Sequence, residues 1–173
     1  MRESHSTLRT GVIAGVLGAT AVALLFLIID LAFSRPFYTP AALGSALFLR
    51  AEGPETVAMS VAIIAGYTVV HVLAFLAIGL LAAALVHRAE TDPPVLLGAV
   101  LLFVTMEVFA IGMIAILAAW LLDRIGWWTI ALANLIAAGV MGYYLWRTHP
   151  LLREEIRRQD LEDPSMERRS EVG

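Results

Sequence analysis

Four long apolar stretches limit what this chain can fold into more than any other feature of its sequence. They cover about residues 11–33, 59–86, 95–122 and 127–146. An α-helix rises about 1.5 Å per residue and the hydrocarbon core of a bilayer is about 30 Å thick, so each stretch is long enough to cross a membrane. The sequence therefore predicts an all-α integral membrane protein with four antiparallel transmembrane helices.

The first stretch has one alternative interpretation, a cleaved signal peptide, because residues 32–34 (Ala-Phe-Ser) have the small-x-small form of a cleavage site. The apolar run is longer than the roughly 7–15 residues of a signal sequence, and this favours a membrane span. Gly11, Gly15 and Gly18 fall on one face of that helix. Small residues at this spacing predict that another helix approaches closely there.

The composition excludes several kinds of chemistry. The chain is 60% hydrophobic and 16% charged and has no cysteine, so disulfides, thiolate metal sites and iron–sulfur clusters are excluded. All 12 basic residues are arginine, so a Schiff-base lysine is excluded as well. No basic patch indicates nucleic acid, and no cofactor is predicted. The expected partners are the lipid bilayer and other membrane chains or further copies of this chain.

The connections between the spans differ in length and character. In the long loop 34–58, Pro36 and Pro40 interrupt any helix, while Thr39 can cap a new one that has Pro40 in its first turn. Residues 41–49 are therefore predicted to form a short interfacial helix on the outer side. Segment 87–94 is a polar link with a double proline, and 123–126 is short enough to force an antiparallel hairpin. The chain is therefore predicted to consist of a transmembrane domain, residues 1–146, and a charged tail, residues 147–173. Within the tail, residues 150–161 are predicted to form a surface helix.

The distribution of arginine predicts the orientation. With the N-terminus inside, the near-membrane arginines on the cytoplasmic side are Arg2, Arg9, Arg88, Arg147, Arg153, Arg157 and Arg158. The opposite side has only Arg35, Arg50 and Arg124. Cytoplasmic loops carry the excess of positive charge, so both termini are expected in the cytoplasm. We expect the membrane to be the bacterial cytoplasmic membrane.

A few polar side chains lie inside the predicted spans. By the helical rise, Glu107 lies near the centre of the third span, and His71 and Asn134 lie roughly 3–4 Å outward of the centres of theirs. Tyr67 is one turn from His71 on the same face, and Asp30 lies roughly 10 Å nearer the outer surface. Ionisable groups at such depth usually face a partner or a cavity. We therefore expect His71 and Glu107 to face each other, in a buried polar cluster with the other three.

Structural and functional interpretations of this cluster both remain open. Asp30 can reach the headgroups or pair with Arg35, and His71 with Glu107 can simply fix the register of two helices. Alternatively, an imidazole beside a carboxylate can relay a proton, and the same two groups can ligate a metal. The chain has no His-x-x-x-His or Glu-x-x-His spacing. No metal is therefore predicted, and His71 and Glu107 remain the only candidate ligands.

Three classes of function follow. The first is a non-catalytic subunit or scaffold of a larger membrane assembly, favoured by the small-residue face and the lack of a catalytic motif. The second is a proton- or ion-coupled carrier or channel that uses the pair His71 and Glu107 near the middle of the membrane. The third is an intramembrane metal or redox enzyme, so an enzymatic role is ranked last.

Overall fold

The computed structural model describes residues 2–89, 92 and 94–149 of the chain. Over this part of the chain the regular structure is helical throughout: α1 (Arg2–Ala32), α2 (Tyr38–Leu49), a 3₁₀ turn (Pro54–Thr56), α3 (Val61–Ala89), α4 (Val95–Leu117), α5 (Ala119–Ile125) and α6 (Trp127–Thr148). The predicted surface helix at 150–161 and the rest of the tail lie outside the described residues.

Four of these helices are long and apolar enough to cross a membrane, and the predicted all-α fold is confirmed. They are Thr7–Ala32, Val61–Ala89, Leu97–Leu117 and Trp127–Thr148. The boundaries differ from the prediction in places. Helix α3 continues to Ala89, three residues beyond the predicted end of the second span, and α6 continues to Thr148.

The prediction for the end of the third span was wrong. Helix α4 stops at Leu117 because Ala118 leaves the helical conformation, with φ −152° and ψ 52°. The chain resumes as the separate helix α5, whose Leu121 is 1% exposed against Ala42 and Ala46 of α2. Packing against α2 thus redirects a segment whose apolar composition alone predicts a continuous span. Gly126, with φ 79°, then makes the turn into α6.

Helix α1 is the centre of the bundle and packs along both α3 and α6. Its contact with α3 is a contact between backbones, since a Cβ built on Gly15 would lie 2.5 Å from the carbonyl oxygen of Phe75. Gly79 of α3 lies directly opposite Gly15. Towards α6, Val22 packs with Ala133 and Ala137. The close approach predicted from the glycine face of α1 is therefore confirmed.

Helix α2 contains the predicted helix 41–49, but it begins earlier and is capped differently. It starts at Tyr38, and Phe37 before it has φ 63° and makes no side-chain cap. Thr39 does not cap the helix, because its N–H and hydroxyl both donate to Asp30 at the end of α1. We call the end of the bundle that carries α2 and α5 the α2 end.

Candidate functional site

His71 is directed at α1. Its Nε2 lies 3.2 Å from the carbonyl oxygen of Ala19, and because a carbonyl only accepts, Nε2 carries the hydrogen of this bond. The close glycine contact between α1 and α3 brings the ring within reach of that carbonyl. Along α3 the imidazole lies between the rings of Tyr67, at 6.0 Å between centroids, and Phe75, at 4.8 Å. Tyr67 and His71 are thus neighbours, as the sequence predicted.

Glu107 is the one acidic or basic residue of the α4 span, and its carboxyl group is turned towards α6. Both carboxylate oxygens are inaccessible, and neither has a hydrogen-bond partner among the described residues. Asn134 of α6 is the polar side chain that approaches the carboxyl, without reaching hydrogen-bond geometry. A carboxyl group whose oxygens are covered and left unpaired is costly, and among the described residues Glu107 is the one carboxyl group in this state.

The predicted contact between His71 and Glu107 is not formed as a hydrogen bond in this structure. The imidazole is bound to Ala19 on α1, while the carboxyl lies beside Asn134 on α6. The depth of the two residues follows from the helical rise, but the direction in which each points does not. Within the described residues no three His, Asp or Glu side chains come together in a way that could hold a metal ion.

Asp30 lies apart from these groups, at the α2 end, where it is 2% exposed. Its Oδ2 accepts the backbone N–H of Thr39 at 2.7 Å and its Oδ1 accepts the Thr39 hydroxyl at 2.8 Å. The carboxylate thereby holds the first turn of α2, where negative charge is favourable. Arg35, its expected ion-pair partner, instead places its guanidinium 4.5 Å from the ring centre of Tyr38. Among the described residues no hydrogen bond joins Asp30 to His71 or Glu107, so the five polar residues are not linked by hydrogen bonds into one cluster.

Sequence reasoning missed a surface cleft at the α2 end. It has a volume of about 380 Å³ and lies between the end of α2, the end of α4 and the start of α5. The cleft exists because α4 stops at Leu117, and no glycine or proline in the sequence marks that stop. The cleft is open on one side rather than enclosed.

No family model, curated protein or solved structure matches the chain. The function is therefore argued from the geometry described above.

Proposed function

We propose that this protein is a non-catalytic component of a larger membrane assembly, a subunit or scaffold, and that α4 is the helix through which it docks. The observation that carries this proposal is the packing of α4. None of the residues in its membrane-spanning window is buried, compared with 28% in α1 and 33% in α6. Helix α1 is held by α3 and α6, whereas α4 touches its neighbours without burying a single residue of that window.

One face of α4 has the pattern of a helix–helix interface. Its residues recur at spacings of four, three, four and three, as in a heptad repeat: Leu101, Thr105, Val108, Gly112 and Ala115. A Cβ built on Gly112 would meet no atom within 4 Å, so the backbone itself is open to a neighbour. Interfaces in membranes are enriched in small residues because lipid supplies no hydrophobic force between helices and close packing must hold them together.

Replacing Gly112 with leucine is expected to release the chain from its assembly while leaving the bundle folded. The added side chain meets nothing within this chain but blocks close approach of another helix. Gly139→Leu is the matched control, since Gly139 on α6 also has no atom within 4 Å of a built Cβ. The measurement is the mass of the particle extracted from its own membrane in nanodiscs, together with its melting temperature.

The proposal predicts a smaller particle for Gly112→Leu and an unchanged one for Gly139→Leu, with both variants melting at or above the temperature of the parent, because leucine is the better helix former. Two unchanged particles would contradict it. A smaller particle for Gly139→Leu alone would place the interface on α6 and contradict the role of α4.

A second candidate, a proton- or ion-coupled carrier or channel, is favoured by one observation, the unpartnered carboxyl of Glu107. A carboxylate deep in a span is held only with a proton, a cation or a partner group. The proton or ion would therefore be held by Glu107 beside Asn134, whereas the sequence prediction paired Glu107 with His71. It is compatible with the first proposal, since a subunit can also carry a pathway.

Glu107→Gln tests this candidate, because glutamine has nearly the same shape but cannot exchange a proton. We expect a carrier or channel to lose its proton flux into vesicles with an internal pH dye. The folded bundle should be at least as stable, since a buried charge is removed. Glu55→Gln, at an exposed residue of the 3₁₀ turn, is the control and should leave the flux unchanged. Equal flux in the parent and Glu107→Gln would exclude this candidate.

The orientation is a further part of the proposal: both termini lie in the cytoplasm and the α2 end faces outward, in a bacterial cytoplasmic membrane. The support is the arginine distribution. Because the chain has no cysteine, single cysteines can be labelled cleanly. Glu55→Cys should react with an impermeant maleimide in intact cells, and Ser170→Cys only after permeabilisation. The reverse result would overturn this orientation.

A further inference from the structure

The cleft at the α2 end combines an apolar wall with two charged side chains of opposite sign. The wall is formed by Ala46, Ile116, Leu117 and Trp120, and the charges are those of Arg50 and Glu52. Trp120 is fixed there, because its indole N–H donates to the carbonyl oxygen of Ala51 at 3.2 Å. Arg50 ends α2 in the left-handed conformation, with φ 56°. The cleft is thus framed by anchored backbone rather than by a free loop.

Arg50 and Glu52 line the same cleft but do not pair with each other. Both are exposed, and neither side chain makes a hydrogen bond or ion pair with any residue of the described chain. A ligand that satisfies both must carry a negative and a positive group close together. A purely anionic ligand would meet the repulsion of Glu52, and a purely cationic one that of Arg50.

The position of the cleft along α4 indicates which class of ligand it can bind. It opens beside Leu117, the last residue of the α4 span, and a helix that crosses the bilayer ends near the lipid headgroups. From there an apolar track leads back along α4 towards the membrane centre. It consists of Ile116, Met113 and Phe109, which are 85%, 41% and 59% exposed and lie on one helical face. The track is apolar and runs along the helix axis, so an acyl chain can pack against it.

We propose that the cleft binds one phospholipid with a zwitterionic headgroup that contains a phosphate and a protonated primary amine. The guanidinium of Arg50 binds the phosphate, for which its fork of N–H donors is suited. The carboxylate of Glu52 accepts from the ammonium, and one acyl chain lies along Ile116, Met113 and Phe109. This inference does not depend on the proposed assembly, because the track lies beside the Leu101–Ala115 face rather than on it.

Binding of single lipids to the delipidated full-length protein, counted by native mass spectrometry, tests the proposal. The parent is expected to retain phosphatidylethanolamine about tenfold better than phosphatidylglycerol, whose headgroup has no amine. Glu52→Gln should abolish this preference, because it weakens phosphatidylethanolamine binding and relieves the repulsion of phosphatidylglycerol, and Arg50→Gln should weaken both lipids. Glu55→Gln, at an exposed residue outside the cleft, should leave both unchanged.

Melting temperatures of all variants should match the parent, because the altered side chains are exposed and make no contact that holds the fold. Equal retention of the two lipids by the parent would overturn the proposal. A preference that survives in Glu52→Gln, or that is lost equally in Glu55→Gln, would overturn it as well.

Discussion

Asp30→Ala is expected to lower the free energy of unfolding by roughly 2–6 kcal/mol, since it strands two buried donors of Thr39 that cost about 1–3 kcal/mol each when unsatisfied. The carboxylate accepts both the N–H and the hydroxyl of Thr39, and both residues are buried. This one side chain connects the end of α1 to the first turn of α2. The free energy is measured by reversible unfolding in mixed micelles.

Thr39→Val is the matched control, because it removes only the hydroxyl and keeps the backbone bond to Oδ2. About half the loss is expected for it. A cysteine at Ser45, which is fully buried in α2, supplies an independent measure. It should be unreactive in the parent and reactive when Asp30 is alanine. Unchanged stability together with unchanged reactivity would show that α2 is held by other contacts.

Gly15→Ala is expected to lower the free energy of unfolding by about 1–3 kcal/mol, although alanine is the better helix former. The added methyl group would lie 2.5 Å from the carbonyl oxygen of Phe75 and 2.8 Å from the Cα of Leu76. These are backbone atoms, so the conflict is relieved only by moving α1 and α3 apart. That movement would also lengthen the bond between His71 and Ala19.

Gly139→Ala is the control, and we expect it to raise the free energy of unfolding rather than lower it. A Cβ there meets no atom within 4 Å, so only the helix propensity acts, and a gain of up to about 1 kcal/mol is expected. Gly79→Ala should behave like Gly15→Ala, because the two glycines face each other. A loss at Gly139 equal to that at Gly15 would mean that the effect does not come from the α1–α3 contact.

The spans could be predicted because the length of an apolar run is a property of the sequence alone. The glycine face of α1 could also be predicted, because it depends only on residue spacing. Helix α2 was also predictable from Pro40 and the apolar run that follows. Its cap was not, because the acceptor is Asp30, nine residues earlier, and only the tertiary fold brings that carboxylate to Thr39.

The direction of each buried polar group could not be predicted. A helix that is apolar on all sides gives no preferred face, so the sequence fixes the depth of Glu107 but not its rotation about the axis. The expectation that His71 points at Glu107 assumed that neighbouring helices turn their polar groups towards one another. The carbonyl of Ala19 is a competing acceptor on α1, and the close glycine contact brings it within reach of the imidazole.

The two kinds of packing in this bundle support the proposed assembly. Helices α1, α3 and α6 are held by backbone contact at Gly15 and by buried alanines such as Ala133 and Ala137. Helix α4 has no such contact, and it carries both the Leu101–Ala115 face and the unsatisfied Glu107. In the described chain α4 is thus the least buried of the four long helices, which is the property that the proposed docking requires.

The most direct test of this docking role is the contact of α4 with lipid in the native membrane. Spin labels on single cysteines at Val108 and Val69 report collisions with oxygen dissolved in the bilayer. Both residues are similarly exposed in the single chain, at 67% and 58%, and lie well inside their spans. We predict that in nanodiscs extracted from the native membrane the Val108 label is shielded from oxygen and the Val69 label is not. Equal, high oxygen contact at both positions would show that lipid covers α4 and would contradict the proposed function.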